Sequence, residues 1–221
     1  MLKLIIGNRA YSSWSMRGWL ACRQSGEEFE ELVVPMFGEE WEQRREGDEF
    51  APSLGKVPIM WDGDCVVWDS MAIIEFLADR VGRDRFWPED MGARGMARSM
   101  AAEMHSSFAN LRRELSMNVR RTYPPLDLSD GVKDDINRIL QLWAQARARH
   151  AGTGDYLFGD WCAADIMFAP VVTRFITYGV PVPPFAGLYM KAVLSHPHVA
   201  DWIDKAQDEP WVIEQYENEP A

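Results

Sequence analysis

Three serines stand within four residues at the start of an apolar, helix-like run. They are Ser12, Ser13 and Ser15 in the stretch YSSWSMRGWLA. A short apolar run over residues 2–6 precedes them, so the pattern predicts a strand that leads into a helix N-terminus. Free N–H groups and the positive end of the helix dipole meet at such a point and favour a bound anion. A hydroxyl there can donate to the anion, although Ser12 could equally be only a helix cap.

A second candidate stretch is GKVPIM, in which Val57 precedes Pro58 just before a predicted edge strand. If the bond between them were cis, Val57 would turn its N–H and C=O away from the sheet, where they could pair with an extended, peptide-like ligand. The alternative is an ordinary turn with a trans proline, which is the commoner state of an X–Pro bond. The sequence alone leaves both conformations open.

The third stretch is WDSMAII, where Asp69 and Ser70 occupy a predicted helix start. They could simply cap the helix. They could also bind a ligand, since a carboxylate can dock on the Ser70 N–H and hydroxyl while Asp69 meets an ammonium group. Taken together, the three stretches describe a site for an extended, zwitterionic peptide that carries a thiol.

Periodicity and turn residues predict the elements that must bring these stretches together. Residues 1–82 follow the order βαβαββα, with the helix from Ser12 or Ser13 ending at Gly26. A polar segment over residues 83–90 is interpreted as a linker. Everything after it is predicted to be helical, over residues 91–118, 129–151, 162–177, 185–194 and 197–207, with an acidic tail over 208–221.

Composition excludes several classes of function. The 221 residues suffice for one large or two small domains, and a hydrophobic content of 47% is typical of a globular protein. A net charge of −11 argues against a nucleic-acid partner. We expect no membrane helix and no signal peptide, because no apolar run is long enough. Cys22, Cys65 and Cys162 are widely spaced, so we expect neither a metal site nor a disulfide framework, and a reducing cytoplasm fits best.

Over nearly its whole length the chain resembles the cytosolic glutathione transferases. The likeness lies in YSSWSMRGWLA, APSLGKVPIMWDGDCVVWDSMAIIEFL and YLFGDWCAADIMFAPV, of which the second is the most specific. It implies a fold that combines α/β and all-α parts. A thioredoxin-like domain over residues 1–82 would bind glutathione, a linker would cover 83–90, and an all-helical domain over 91–221 would line the electrophile site. The resemblance also implies a homodimer.

The first stretch resembles the serine motif of the zeta class. By that match Ser12 is the catalytic serine, and Ser13 and Arg17 are further glutathione-site residues, with Ser13 and Ser15 left as alternatives for the contact with sulfur. The zeta-type motif has a cysteine at its third position, where this chain has Trp14. This departure puts zeta-type isomerase activity in doubt. The absence of a cysteine near position 12 argues against a glutaredoxin-like redox function.

The resemblance assigns the rest of the glutathione site residue by residue. Val57, before a cis Pro58, would bind the cysteinyl backbone. Asp69 and Ser70 would bind the γ-glutamyl end, and Lys56 would reach the glycyl carboxylate. In the third stretch, Asp165 would reach back to the Cys162 N–H as half of a capping box, which is a structural role.

We expect the electrophile between the two domains, against the long helix that follows the linker. Candidate contacts are His105, Phe108 and Arg112, each of which could instead belong to the core or to a solvated helix face. The pair Arg120–Arg121 hints at an acidic co-substrate but could equally lie on the surface. No metal is expected.

The chemistry expected of this site is thiol ionisation. Lowering the pKa of a thiol from about 8.5 to about 6.5 requires roughly 2.7 kcal/mol of preference for the thiolate. A hydroxyl hydrogen bond to a charged partner supplies about 1.5–3 kcal/mol, and a helix N-terminus supplies about 0.3–1 kcal/mol. The sequence therefore predicts a serine-type glutathione transferase that acts on a small electrophile. The alternatives are a glutathione-dependent cis–trans isomerase of a maleyl-type acid and a non-catalytic, transferase-like interaction module.

Overall fold

Four strands form one mixed sheet in the N-terminal part of the chain. The computed structural model describes residues 1–217, so the end of the predicted acidic tail, residues 218–221, lies outside the described residues. The strands are β1 (Leu2–Ile6), β2 (Phe29–Val33), β3 (Ile59–Asp62) and β4 (Cys65–Trp68). Their order in the sheet is β2-β1-β3-β4. β1 runs parallel to β2 and antiparallel to β3, which pairs antiparallel with β4.

Helices pack on this sheet and form most of the structure after it within residues 1–217. The N-terminal helices are α1 (Ser13–Ser25), α2 (Glu39–Arg45) and α3 (Ser70–Val81). The later helices are α4 (Met91–Ser106), α5 (Ala109–Glu114), α6 (Asp130–His150), α7 (Ala163–Thr177), α8 (Pro184–Ser195) and α9 (Pro197–Gln207). This arrangement confirms the predicted fold class, a thioredoxin-like βαβαββα unit followed by an all-helical region. The limits assigned to the two domains stay a prediction.

One predicted helix, over residues 91–118, is wrong as a single element. The structure divides it at Phe108, whose φ of 60° lies in the left-handed region that ends a helix. The Phe108 side chain is buried by this turn, and Asp135 Oδ2 on α6 accepts the Leu111 N–H at 2.9 Å just after it. Leu111 and Leu115 are both buried, so the apolar period continues across the break and did not reveal it.

Helix α7 lies at the centre of the helical region and contacts both α1 and α4. Nearly all its side chains are buried. Its start is held by Asp165, whose Oδ2 accepts the Cys162 N–H at 2.9 Å, as predicted. Asp165 Oδ1 also accepts the Leu157 N–H at 3.1 Å. The position of α7 therefore depends on a carboxylate that is itself fully buried.

Gly18 allows α1 to approach the loop before β3. A Cβ added at Gly18 would lie 2.8 Å from Cβ and Cγ of Pro58, which is closer than carbon atoms tolerate. Gly18→Ala should therefore lower the melting temperature and weaken ligand binding at Val57. The overpacking costs about 1–3 kcal/mol, which outweighs a gain of about 1 kcal/mol in helix propensity.

The matched control is Gly95→Ala in α4, where an added Cβ meets nothing within 4 Å. Thermal denaturation of the two variants should separate them, with Gly95→Ala at or above the wild-type melting temperature. Equal melting temperatures for the two variants would show that the contact between Gly18 and Pro58 is not tight.

Candidate active site

The three predicted stretches meet around one cavity of about 610 Å³. The cavity lies beside the segments that follow β1 and precede β3. Six of the residues singled out from the sequence line it, namely Ser12, Lys56, Val57, Pro58, Asp69 and Ser70. Trp14 and Trp68 add aromatic surface to the wall. The cavity therefore combines a helix start, a backbone edge and a second helix start, as the sequence predicts.

Of the three serines at the start of α1, Ser12 is the one that lines the cavity. It caps α1 in an extended conformation, and its Oγ accepts the Ser15 N–H at 3.3 Å. Its hydroxyl also lies 2.8 Å from Ser15 Oγ, which in turn accepts the Gly7 N–H at 2.9 Å. Ser15 is fully buried behind Ser12. Ser12 is thus placed to contact a ligand, and Ser15 is placed to support Ser12.

The loop before β3 presents backbone to the same cavity. The peptide bond between Val57 and Pro58 is cis. β3 begins at Ile59, so Val57 lies outside the sheet ladder. Ser53 Oγ holds the turn, because it donates to the Lys56 carbonyl at 2.7 Å and accepts the Lys56 N–H at 3.0 Å. The Lys56 side chain is exposed.

Asp69 begins α3 with an unusual backbone conformation. Its φ of 78° is positive, which costs a residue with a Cβ about 1–3 kcal/mol and is found mostly at functional sites. Its Oδ1 caps the helix by accepting the N–H groups of Met71 at 2.8 Å and Ala72 at 3.4 Å. Asp69 therefore combines a strained backbone with the cap of α3, and it also lines the cavity.

Ser70 presents a buried hydroxyl with no partner. Its side chain is 1% exposed, and its Oγ makes no hydrogen bond within residues 1–217. A buried unpaired hydroxyl is costly. A carboxylate bound at the start of α3 would supply an acceptor for this hydroxyl and for the Ser70 N–H, since the next two N–H groups already donate to Asp69.

His105 lies against Asp69 and not on a free helix face. Its Nε2 is 2.6 Å from Asp69 Oδ2, and its ring centroid is 5.3 Å from that of Trp14. The end of α4 therefore reaches the start of α3, although His105 itself does not line the cavity. Phe108, the second candidate contact, is buried at the break between α4 and α5.

Ser13 and Arg17 face the helical region, and neither lines the cavity. Ser13 Oγ accepts from Arg174 Nη2 at 3.2 Å, and the Ser13 carbonyl accepts from Arg17 Nη1 at 3.2 Å. Arg17 Nε also donates to the Met167 carbonyl on α7 at 2.9 Å. Arg112, the third candidate electrophile contact, lies 5.6 Å over the Trp14 ring. Sequence reasoning missed Arg174, although a lone arginine in the apolar run of α7 was a usable signal.

Arg120 and Arg121 bind the segment over residues 209–217, near the C-terminal end of the described residues. Arg120 Nη1 and Nη2 donate to the carbonyls of Glu209 at 2.8 Å and Trp211 at 2.7 Å, and Arg121 Nε donates to Glu217 Oε2 at 2.7 Å. These contacts occupy both guanidinium groups at the surface.

Two further features were searched for in the part of the chain that the structure describes. No helix there combines the length and apolar character that a bilayer crossing needs. No group of three or more His, Cys, Asp or Glu side chains among these residues is arranged to hold a metal ion.

Comparisons with known proteins find glutathione S-transferases similar to this chain. Residues 11–80 match the family model described as the N-terminal domain of glutathione S-transferases. Glutathione S-transferase GstB of Escherichia coli K12 is 23% identical over 190 residues, which cover 83% of this chain and 86% of GstB. Glutathione S-transferase 1 of Dianthus caryophyllus is 25% identical over 192 residues, which cover 83% of this chain and 82% of that protein.

A solved structure with the same fold extends this likeness to nearly the whole chain. It is a glutathione transferase homologue from Burkholderia gl BGR1 with bound glutathione, and it superposes with a TM-score of 0.71 at 22% identity. The match covers 94% of this chain and 99% of that one.

Proposed function

We propose that this chain is a glutathione transferase that ionises the thiol of glutathione with Ser12 and adds the sulfur to a small electrophile. Two findings support this proposal: residues 11–80 match the N-terminal domain model of glutathione S-transferases, and relatives with that name align with 83% of the chain. The observation that carries this proposal is the cavity itself. It places the Ser12 hydroxyl, the Val57 backbone and the unpaired Ser70 hydroxyl around one space.

Ser12 would stabilise the thiolate by donating its proton to the sulfur. In the structure the Ser12 hydroxyl donates to Ser15 Oγ at 2.8 Å, and the Gly7 N–H donates to the same oxygen at 2.9 Å. When glutathione binds, the Ser12 hydroxyl would rotate and donate this proton to the sulfur, while Ser15 Oγ keeps the hydrogen bond from the Gly7 N–H. Together with the start of α1, a hydrogen bond from Ser12 can supply the roughly 2.7 kcal/mol that a two-unit drop in thiol pKa requires.

The remaining cavity residues would hold the tripeptide in an extended conformation. The Val57 N–H and C=O would pair with the cysteinyl backbone, and Lys56 would reach the glycyl carboxylate. The Ser70 N–H and hydroxyl would bind the γ-glutamyl carboxylate, with the ammonium group near Asp69 Oδ2. His105 would share that carboxylate oxygen and keep Asp69 in place.

Asp69→Asn is expected to weaken glutathione binding at least tenfold while it changes kcat less. The amide keeps the oxygen that caps α3, but it loses the charge that meets the ammonium group, and a charged hydrogen bond contributes about 1.5–3 kcal/mol. Calorimetric titration gives the affinity, and Asp90→Asn at the start of α4 is the matched capping control. Unchanged affinity in Asp69→Asn would remove Asp69 from the binding site.

A screen tests the proposed function as a whole. The purified protein would be incubated with glutathione and with halogenated aromatics, enones or maleyl-type acids, while the loss of both reactants is followed. A transferase consumes both reactants, whereas an isomerase converts the acid and returns the glutathione. Binding of glutathione with no turnover of any compound would instead favour an interaction module. The homodimer, the cytoplasmic location and the assignment to the zeta class stay predictions.

A further inference from the structure

The segment that follows α9 lies against the loop between β1 and α1. We call residues 209–217 the strap and residues 8–12 the serine loop. Glu209 begins the strap, and its side chain is 4% exposed. Its carboxylate accepts the Arg9 N–H at 2.9 Å and the Ala10 N–H at 3.5 Å, and Arg9 Nη1 donates to it at 3.0 Å. One buried carboxylate therefore fixes two successive amides of the serine loop.

The other end of the strap holds Tyr11, the residue before Ser12. Tyr11 is 5% exposed, and its hydroxyl donates to Glu217 Oε1 at 2.6 Å. Arg120 Nη2 donates to the same hydroxyl at 2.6 Å. Between these ends, Ile213 is buried and belongs to a small apolar cluster that includes Tyr11. The strap thus contacts the serine loop at both ends and in the middle.

Two carbonyls of the serine loop are also bound from the helical region. The Arg9 carbonyl accepts from Trp202 Nε1 on α9 at 3.2 Å, and the Ala10 carbonyl accepts the Val119 N–H at 3.1 Å. The Ser12 N–H donates within the loop itself at 2.9 Å. The backbone around Ser12 is therefore positioned by parts of the chain that are distant from it in sequence.

The same contacts reach the wall of the cavity. Met36 packs against the apolar cluster that contains Ile213, and it lines the cavity together with Ser12. The Met36 N–H also donates to Asn8 Oδ1, at the start of the serine loop, at 2.8 Å. The strap, the serine loop and this side of the cavity form one packed unit.

A buried carboxylate is a costly way to cover a loop. Glu209 pairs with Arg9, which also pairs with Glu31, so two carboxylates share one guanidinium group. Apolar packing would cover the loop with less loss of solvation. A carboxylate adds direction, because its oxygens accept from N–H groups in defined positions. A serine that activates a thiol needs such precision, since catalytic groups must be held within about 0.5 Å of their productive positions.

We propose that the strap positions the Ser12 hydroxyl for the thiolate of glutathione, with Glu209 as the positioning residue. This inference rests on the proposed function, because it depends on the role given to Ser12 there. Glu209 does not line the cavity, so it acts through the amides of Arg9 and Ala10. Loss of its charge would let the serine loop shift, and the hydrogen bond from Ser12 to the sulfur would lengthen and weaken.

The decisive experiment titrates the thiol of bound glutathione in Glu209→Gln by ultraviolet difference absorption. Glutamine keeps the size of the side chain but loses the charge and one of the two acceptor oxygens. The pKa of the bound thiol should rise by about one unit, from about 6.5 to about 7.5. At pH 7 the ionised fraction then falls from about three quarters to about one quarter, so kcat should fall about threefold.

Two further readouts distinguish positioning from a general loss of stability. Above about pH 8.5 the rates of Glu209→Gln and wild type should converge, because the sulfur is then ionised in both proteins. Affinity for S-methylglutathione, which has no ionisable thiol, should not change. Glu214 lies exposed in the same strap, so Glu214→Gln is the matched control and should change neither the thiol pKa nor the rate.

A double-mutant cycle tests whether Glu209 acts through Ser12. Glu209→Gln added to Ser12→Ala should cause no further loss of kcat, because no hydroxyl is left to position. If Glu209→Gln fails to fold, Glu217→Ala tests the other end of the strap, where the side chain is 13% exposed. It removes the acceptor of the Tyr11 hydroxyl, and the thiol pKa should rise in the same way.

The contrary outcomes separate this inference from the proposed function. An unchanged thiol pKa in folded Glu209→Gln would overturn the inference and leave the role of Ser12 in place. An equal loss of rate at every pH, or the same loss in the Ser12→Ala background, would indicate general damage to the fold and would also overturn it. A bound thiol that titrates at about 8.5 in the wild-type protein would contradict the proposed function, and the inference would fail with it.

Discussion

Ser12→Ala is expected to lower glutathione-dependent turnover at least tenfold at neutral pH while the fold stays intact. The substitution removes the one hydroxyl that borders the cavity at the start of α1. A hydroxyl hydrogen bond to a thiolate contributes about 1.5–3 kcal/mol, which corresponds to a rate effect of about ten- to a hundredfold. The loss should shrink as the pH rises towards the pKa of a free thiol, because solvent then ionises the sulfur without help from the protein.

The chain offers a matched control for the structural part of this effect. Ser129 caps α6 in the same way as Ser12 caps α1, with its Oγ accepting the Val132 N–H at 3.3 Å. Ser129→Ala should cost a similar stability of about 1 kcal/mol and leave turnover unchanged. Initial rates of glutathione-dependent turnover, measured over a range of pH, test this prediction. Equal rates for wild type and Ser12→Ala would exclude Ser12 from the mechanism.

Asp165→Ala is expected to cause the largest loss of stability. Burial raises the pKa of Asp165 to about 6, so at neutral pH its carboxylate still accepts the amides of Cys162 and Leu157. Alanine leaves both buried N–H groups unpaired at about 1–3 kcal/mol each. For a chain of this length the melting temperature should fall by roughly 5–15 °C.

Differential scanning calorimetry measures this loss directly. Asp155 lies in the same loop region and is exposed, so Asp155→Ala should unfold close to the wild-type temperature. If Asp165→Ala also unfolds at the wild-type temperature, the carboxylate does not hold the start of α7. A folded Asp165→Ala protein that keeps its glutathione affinity at low temperature would agree with a structural role and not a catalytic one.

Local patterns predicted the N-terminal unit because each of its elements carries its own signal. Ser12 caps α1, Asp69 caps α3, and Gly26 ends α1 in a left-handed conformation. The βαβαββα order also followed from turn residues and alternation. The cis bond before Pro58 was only one of two open alternatives until the structure placed it.

Contacts between distant parts of the chain could not be predicted in the same way. The break at Phe108 is followed by a hydrogen bond from the Leu111 N–H to Asp135 on α6, and it interrupts no apolar period. The pairing of His105 with Asp69 joins residues 36 positions apart, and that of Arg174 with Ser13 joins residues 161 apart. Such pairs depend on how the helical region packs on the sheet unit, which periodicity does not reveal. The orientation of Ser13 and Arg17, towards α7 and away from the cavity, could not be predicted for the same reason.

The central claim is that Ser12 and the start of α1 ionise the sulfur of bound glutathione. Ultraviolet difference absorption of the complex, titrated against pH, measures the thiolate directly. The account predicts a bound thiol with a pKa near 6.5, about two units below the value of about 8.5 for a free thiol, and a return towards that value in Ser12→Ala. A bound thiol that titrates near 8.5 in the wild-type protein would contradict it.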